Sequence, residues 1–302
     1  MPQLLPVHQP YDARRMLWFL GRHSTPGLES FDGGPAAYAR VLRLPGGPGV
    51  VRLTPAGAGF DAQLQLSSAS DEPEALARLA RLLDLDADPR PALAHLADDR
   101  VLDVTSRQGI RVPGTVDPVE TLVETVIGQQ ISLAGARTLS GRLVRKYGEA
   151  LPRRMVRDGL THCFPSAEVL AAMDPADLAM PLARGRSIVG IGRAVAKDGE
   201  WLAAGTADAA PRLLALPGVG PWTAAYQALR AGRDPDAFMP TDLAVRRVLE
   251  AHGLPGDPRS AATRSAPWSP YRSLALMHLW FAYLERRTGG TALSVAEGRL
   301  DR

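Results

Sequence analysis

The stretch Leu216-Pro217-Gly218-Val219-Gly220-Pro221-Trp222-Thr223-Ala224 holds a proline, two glycines one residue apart and a second proline. That order predicts a tight hairpin. Glycine adopts positive φ without steric cost, so Gly218 and Gly220 are both expected there. Pro221 suits the first position of a following helix. The amides at Gly218, Gly220 and Thr223 are then free at the positive end of a helix dipole, which suits a phosphate. About twenty residues on, Phe238-Met239-Pro240-Thr241-Asp242-Leu243 leads into a helix with Leu243, Val245, Val248 and Leu249 as its apolar side. Asp242 falls at the start of that helix, where the dipole favours a negative charge. Taken singly, the hairpin fits an ordinary corner between helices and Asp242 an N-cap. In sequence, they set a phosphate grip ahead of a fixed carboxylate. Trp222 and Tyr226 are one turn apart and share a helix face. Trp280 comes from a separate apolar helix. Aromatic faces attract cations, so such a group could hold a positively charged ring.

Other chemistries are poorly supplied. Cys163 is the single cysteine, which excludes an internal disulfide, a cysteine-ligated iron–sulfur cluster and a Cys-rich zinc site. All but two of the 35 Lys and Arg positions are Arg, so Lys146 and Lys197 are the only candidates for an imine-forming amine. His8, His23, His95, His162, His252 and His278 show no metal-ligand spacing, and no side-chain metal site is expected. His278, in an apolar helix, reads as a satisfied core residue. Gly190-Ile191-Gly192 lacks both the third glycine and the preceding strand of a dinucleotide site. Arg184 and Arg186 are candidate phosphate contacts by charge alone. A net charge of +3 permits nucleic-acid binding without requiring it. The lack of a leader or of an apolar run near 18 residues points to a soluble, cytoplasmic protein with no membrane partner.

The elements that must position these residues change character along the chain. A helix is predicted over 12–22, with Asp12 as N-cap. Strands are predicted at 37–44, 50–53 and 60–66, with a Pro-Gly turn at 45–49, then a helix over 74–85. From about residue 117 the periodicity is helical. Asp117-Pro118-Val119-Glu120 is a helix start with cap, N1 proline and acid three residues on. Gly128-Gln129-Gln130-Ile131 interrupts, and Ser132 caps a second helix to about 146. Further helices are expected at 166–173, 175–179, 186–203, 210–215, 222–231, 242–252 and 271–287, with a frayed tail after Gly289. The pattern is α+β, with a strand-bearing domain over 1–95 followed by helices.

The hairpin followed by Asp242 resembles the helix–hairpin–helix DNA glycosylases, and nearly the whole chain is similar to the 3-methyladenine DNA glycosylase II branch. Besides the hairpin, the resemblance rests on Pro10-Tyr11-Asp12 with Met16-Leu17-Trp18-Phe19-Leu20, and on Leu82-Leu83-Asp84-Leu85. It also rests on Pro113-Gly114-Thr115-Val116-Asp117-Pro118 through Ile127-Gly128-Gln129, and on Pro267-Trp268 with Tyr271 to Trp280. It implies that the sheet is antiparallel and that the helical part divides into two mainly helical subdomains, 118–235 with the hairpin and 96–117 plus 236–302 with Asp242. It implies a monofunctional enzyme that flips out alkylated purines and hydrolyses their glycosidic bond, with duplex DNA as partner and a monomeric, nucleoid-associated bacterial setting. It implies that Asp242 is the catalytic carboxylate, that Trp222, Tyr226 and Trp280 line the base pocket, and that Phe19 closes it. It implies that Gln130 fills the gap left in the duplex, where this branch more typically has an apolar residue. For Gln130 a helix-capping role, and for Phe19 simple core packing, stay open. The resemblance further implies a structural K⁺ or Na⁺ on the hairpin carbonyls. Two rival functions remain: a noncatalytic DNA-binding module, disfavoured by Asp242 and the aromatics, and a glycosylase/lyase for oxidised bases. The latter is disfavoured by Trp222 at the position where those enzymes carry their lysine.

Overall fold

The computed structural model describes residues 3–203 and 209–288; the expected tail after Gly289 lies outside them. Five strands, β1 (Gln3–Pro6), β2 (Glu29–Asp32), β3 (Ala37–Leu44), β4 (Gly47–Ala56) and β5 (Gly59–Leu66), form one antiparallel sheet in the order β1-β5-β4-β3-β2. The three predicted strands are its centre. The two short edge strands have no alternation to announce them; β1 is admitted where Gly59 lets the backbone of Leu5 approach. Pro45 and Gly46 turn the chain, and Gly47 already pairs with Leu44.

Helix α1 (Ala13–His23), capped by the Asp12 carboxylate, and α2 (Glu72–Leu83) cover one sheet face. Met16, Leu17, Leu20, Leu79 and Leu82 pack there on Tyr38, Leu42, Val51 and Phe60. The alternate residues Ala39, Val41 and Val50 face a second core. This two-sided burial follows from the period of two along a strand. The second core contains α4 (Pro118–Gly128), α5 (Leu133–Tyr147), α6 (Ala167–Ala172) and α7 (Leu182–Lys197), preceded in the chain by α3 (Arg90–Leu96). Short α8 (Glu200–Ala203) and α9 (Ala209–Leu214) follow α7. A third core joins α3 to α11 (Leu243–Ala251), α12 (Pro258–Ser265) and α13 (Arg272–Thr288), with Trp18 and Phe19 inserted from α1. Helix α10 (Pro221–Arg230) lies where the second and third cores meet: Ala224 belongs to one and Leu229 to the other.

Three expectations are corrected. Residues 175–179 form turns, because the Asp174 carboxylate accepts from Ala176 N (2.8 Å) and its carbonyl from Asp177 N. The helix expected at 186–203 starts at Leu182 and breaks after Lys197. Helices α3 and α12 were not anticipated, although Asp257-Pro258 is a capped start of the same kind as Asp117-Pro118. His278 is in the core, but neither ring nitrogen has a hydrogen-bond partner among the described residues, so it is buried without being satisfied. Burial pushes it down to about 3, helped by Arg107.

Arg40 of β3 ties the sheet to α4. Its guanidinium makes two bonds to the Glu120 carboxylate (2.8 and 2.9 Å) and one to Glu29 (3.1 Å). Breaking a buried pair of this kind by removing one partner typically costs about 3–5 kcal/mol.

Candidate active site

The hairpin between α9 and α10 forms as its sequence requires, with one difference. Gly218 has φ +81, and a Cβ there would meet Ser187 Oγ at 2.3 Å. Gly220 is the N-cap of α10 with φ −101, so positive φ is not why glycine stands there. A Cβ on Gly220 would meet nothing within 4 Å, so the space beside its backbone is open. Pro221 opens the helix, and the first backbone bond returning to Gly220 O comes from Ala224 N (3.0 Å). No side chain caps this end, so the amides before Ala224 are available to an anion. The side chain of Thr223 is not: it is 3% exposed, and its Oγ1 accepts from Gln129 Nε2 at 3.2 Å. Of Thr223, the backbone amide and not the side chain is placed to meet an anion.

Asp242 is the N-cap of α11. Its Oδ1 accepts from Ala244 N (2.9 Å), from Val245 N (3.3 Å) and from the indole N–H of Trp280 (3.1 Å). Its Oδ2 accepts from the indole N–H of Trp222 at 3.1 Å. The capping reading is therefore correct but incomplete. Two aromatic side chains from α10 and α13 converge on the same carboxylate, and Oδ2, with one donor, keeps a lone pair free for a ligand.

The aromatics converge around it. Trp222 and Tyr226 stack with ring centroids 5.2 Å apart and 10° between planes, as their one-turn spacing predicts. Trp280 is 6.1 Å from Tyr226 and 6.4 Å from Phe19, nearly parallel to the latter. Phe19 is 4% exposed, yet it lines the same cleft as the other three and Asp242. The cleft encloses about 1340 Å³ and opens alongside the hairpin residues Gly218 to Thr223. Neither Lys146 nor Lys197 lines it. Lys146 pairs with Asp177 at 2.9 Å.

Gln130 lines the cleft mouth between α4 and α5. It is exposed and has φ +60, a left-handed conformation unusual for a residue with a Cβ. Gln129, not Gln130, is the C-cap of α4. Gln129 Nε2 donates to Gly218 O (2.9 Å), and its carbonyl accepts from Arg184 Nη2 (2.6 Å). The Gln130 turn is thus fastened directly to the hairpin. Arg184 serves as a strut for this turn. Two consecutive glutamines, and one arginine among so many, offered no sequence signal for these tasks.

The cleft wall also carries a polar group absent from the sequence reading. Thr25 Oγ1 donates to Glu124 (2.5 Å), near the Arg40–Glu120–Glu29 set. Burial pushes Glu120 up to about 7 against the pull of Arg40, and pushes Glu124 well above the usual carboxyl range. Arg230, also buried, donates to Gly114 O and to the Tyr226 hydroxyl. Among the described residues, no three His, Cys, Asp or Glu side chains group as a metal-ligand set. No described helix is long and apolar enough to cross a membrane.

A sheet-bearing domain, two helical subdomains and a cleft beside a Gly-rich hairpin make up the fold of the helix–hairpin–helix DNA glycosylases. A 3-methyladenine DNA glycosylase from Archaeoglobus fulgidus superposes with a TM-score of 0.75 at 18% identity, over 95% of this chain and 98% of that one. An MBOgg1 structure in complex with a low-affinity DNA ligand superposes with a TM-score of 0.70 at 20% identity. Residues 3–117 match the AlkA N-terminal domain family. The chain is 34% identical to DNA-3-methyladenine glycosylase 2 of Escherichia coli strain K12, over 90% of its own length and 94% of the relative's. It belongs to the family of that enzyme, the AlkA family. It is also 44% identical, over 91% of its length, to a probable bifunctional transcriptional activator/DNA repair enzyme AlkA of Mycobacterium tuberculosis. The chain spans just over half (56%) of that relative.

Proposed function

We propose that the protein is a monofunctional DNA glycosylase that extrudes alkylated purines from duplex DNA and hydrolyses their N-glycosidic bond. The observation that carries this reading is the Asp242 carboxylate, held by two indole N–H groups at the wall of an aromatic cleft beside the hairpin. Extrusion from the stack costs a few kcal/mol and is least costly for damaged bases. The hairpin amides would hold a phosphate, and Gln130, on its strained turn, would occupy the vacated space. The extruded ring would lie against Trp222, Tyr226 and Trp280, with Phe19 behind them. N3- or N7-methylated purines are cationic there and are attracted by the aromatic faces.

A cationic purine leaves as a neutral base, so no strong general acid is needed. The developing charge is the oxocarbenium sugar, and a preorganised carboxylate stabilises it. Oδ2 of Asp242 has the free lone pair to face that sugar or to orient the attacking water. Substrates would include 3-methyladenine and 7-methylguanine and, with selectivity set largely by the lability of the lesion, hypoxanthine and ethenoadenine. We read the protein as a monomer working on chromosomal DNA in a bacterial cytoplasm, with no side-chain metal and no iron–sulfur cluster. A K⁺ or Na⁺ on the hairpin carbonyls is compatible with the backbone: Leu216 O and Gly218 O each accept one hydrogen bond and keep a second lone pair. Such an ion would brace the hairpin.

The test is release of free 3-methyladenine and 7-methylguanine from methylated duplex DNA. Abasic sites should accumulate intact and be nicked only by added alkali, since an imine requires an amine and neither lysine lines the cleft. No base release, or a borohydride-trapped protein–DNA adduct, would overturn the reading.

A further inference from the structure

Tyr226 is held differently from the other aromatics of the cleft. Arg230 Nη1 donates to its hydroxyl at 2.6 Å, while Nε and Nη2 of the same guanidinium donate to Gly114 O at 3.2 and 2.8 Å. Arg230 is 9% exposed, and its hydrogen bonds among the described residues all go to neutral oxygens. The backbone at Gly114 is itself anchored: its N–H donates to Leu82 O (3.0 Å), and a Cβ there would meet Arg81 O at 2.2 Å. A planar guanidinium fixed on one side at two points places its remaining N–H groups rigidly.

A guanidinium can only donate, whereas a tyrosine hydroxyl has one proton and can accept as well. The Arg230 bond therefore takes an acceptor site of the hydroxyl and leaves its O–H to donate elsewhere. No described protein group accepts it, and both residues line the cleft. We infer that Arg230 is a positioning residue that turns Tyr226 into an oriented hydrogen-bond donor for the extruded base, and that this donor selects for neutral purines with an exposed ring nitrogen or exocyclic oxygen.

The chemistry differs between the two lesion classes. A cationic base loses its positive charge as the glycosidic bond breaks, so a donor beside it gains nothing. A neutral base takes on the bonding electron pair and becomes negative as it departs. A donor already aimed at its nitrogen or oxygen is then stronger in the transition state than in the ground state, which is the condition for acceleration. The guanidinium behind the hydroxyl strengthens that donation, as a charge-assisted contact does.

This inference rests on the glycosylase reading, and the experiment separates the two. Single-turnover release is measured from duplexes carrying one hypoxanthine or one 7-methylguanine, for the wild type, Tyr226→Phe, Arg230→Met and the double variant. Tyr226→Phe guards against a fold defect in Arg230→Met. Loss of one such hydrogen bond in the transition state is worth about tenfold. Each single variant should lower the hypoxanthine-to-7-methylguanine rate ratio about tenfold, and the double variant should go no further, because the two residues act as one unit. A ratio within twofold of wild type, or equal slowing on both lesions, overturns the donor role and leaves the glycosylase reading standing. A wild type that releases neither base overturns both.

Discussion

Replacing Asp242 by Asn is the obvious test of the carboxylate, and the geometry shows that it changes two things at once. Oδ1 receives three donors, from Ala244, Val245 and Trp280, so the amide oxygen of Asn will keep that position. The NH₂ group then takes the place of Oδ2 and faces the Trp222 indole N–H at 3.1 Å, donor against donor. Leaving that half-buried N–H without an acceptor costs about 1–3 kcal/mol of stability. On the proposed mechanism, loss of the charge itself would also remove the stabilisation of the oxocarbenium sugar, typically about 10²–10³ in rate, or roughly 2.7–4 kcal/mol of barrier. The two effects separate in a cycle with Trp222→Phe, which keeps an aromatic face but deletes the indole N–H. In urea unfolding the double variant should recover about 1–3 kcal/mol relative to the sum of the single changes. In single-turnover release of 7-methylguanine it should stay about 10²–10³ below Trp222→Phe alone. Should the double variant recover to within tenfold of Trp222→Phe, Asp242 serves as a brace for the aromatic wall and the electrostatic assignment is wrong. A near-wild-type rate for Asp242→Asn alone, with the fold intact, would make it a helix cap only.

Gly218→Ala should destabilise the protein and weaken binding to undamaged duplex DNA, because its φ of +81 costs about 1–2 kcal/mol for a residue with a Cβ and because Ser187 Oγ lies 2.3 Å from the added carbon. Adding Ser187→Ala should return only the steric part in a denaturation curve, and full return would show that the backbone is not strained. Gln130→Ala should weaken binding to abasic-analogue duplex with the melting temperature unchanged; equal affinity would remove it as the gap-filling group. His278→Leu should alter acid sensitivity. The folded-state value of His278 is about 3 against 6.5 when unfolded, so its contribution is complete above pH 6.5 and is lost as pH falls through that window. At about 1.36 kcal/mol per pH unit, the variant should gain about 2 kcal/mol on the wild type between pH 7.5 and pH 5.0. Parallel pH profiles in denaturant melts would refute the depressed value; Glu120, shifted the other way, is common to both proteins and cancels.

How much of this could be read from residues depends on the range of the forces involved. Signals acting within one or two turns were legible. Asp12, Asp117 and Ser132 cap the helices their positions suggest. The Trp222–Tyr226 stack follows from the pitch of a helix, and the three long strands follow from alternation. What the sequence concealed depends on contacts between distant segments. Edge strand β1 owes its place to Gly59, more than fifty residues away, and the Thr223 hydroxyl is engaged by Gln129. The positive φ expected of Gly220 failed because one glycine was enough to reverse the chain. Arg40, Arg184 and Arg230 have different sets of partners and three different tasks, and a local window distinguishes none of them from a solvated arginine.

The fastening of Gln129 to the hairpin gives these separate parts a common purpose. A DNA glycosylase must hold a phosphate, fill the gap and set a carboxylate beside the sugar at fixed separations along one strand, since an error near 1 Å in placement can cost about 10² in rate. Here the three tasks would fall to α10, to the α4–α5 turn and to α11, which are remote in sequence. One side chain joins the first two: Gln129 bonds Gly218 O in the hairpin and Thr223 in α10, and its neighbour carries the exposed Gln130. The Asp242 carboxylate joins α11 to α10 through Trp222 and to α13 through Trp280. The strained φ of Gln130 is then held by its fastened neighbour Gln129, the kind of support under which such strain persists at functional sites. Cutting the Gln129 link should therefore loosen the gap-filling turn without touching the carboxylate, impairing extrusion while leaving the chemistry on an already unpaired base intact.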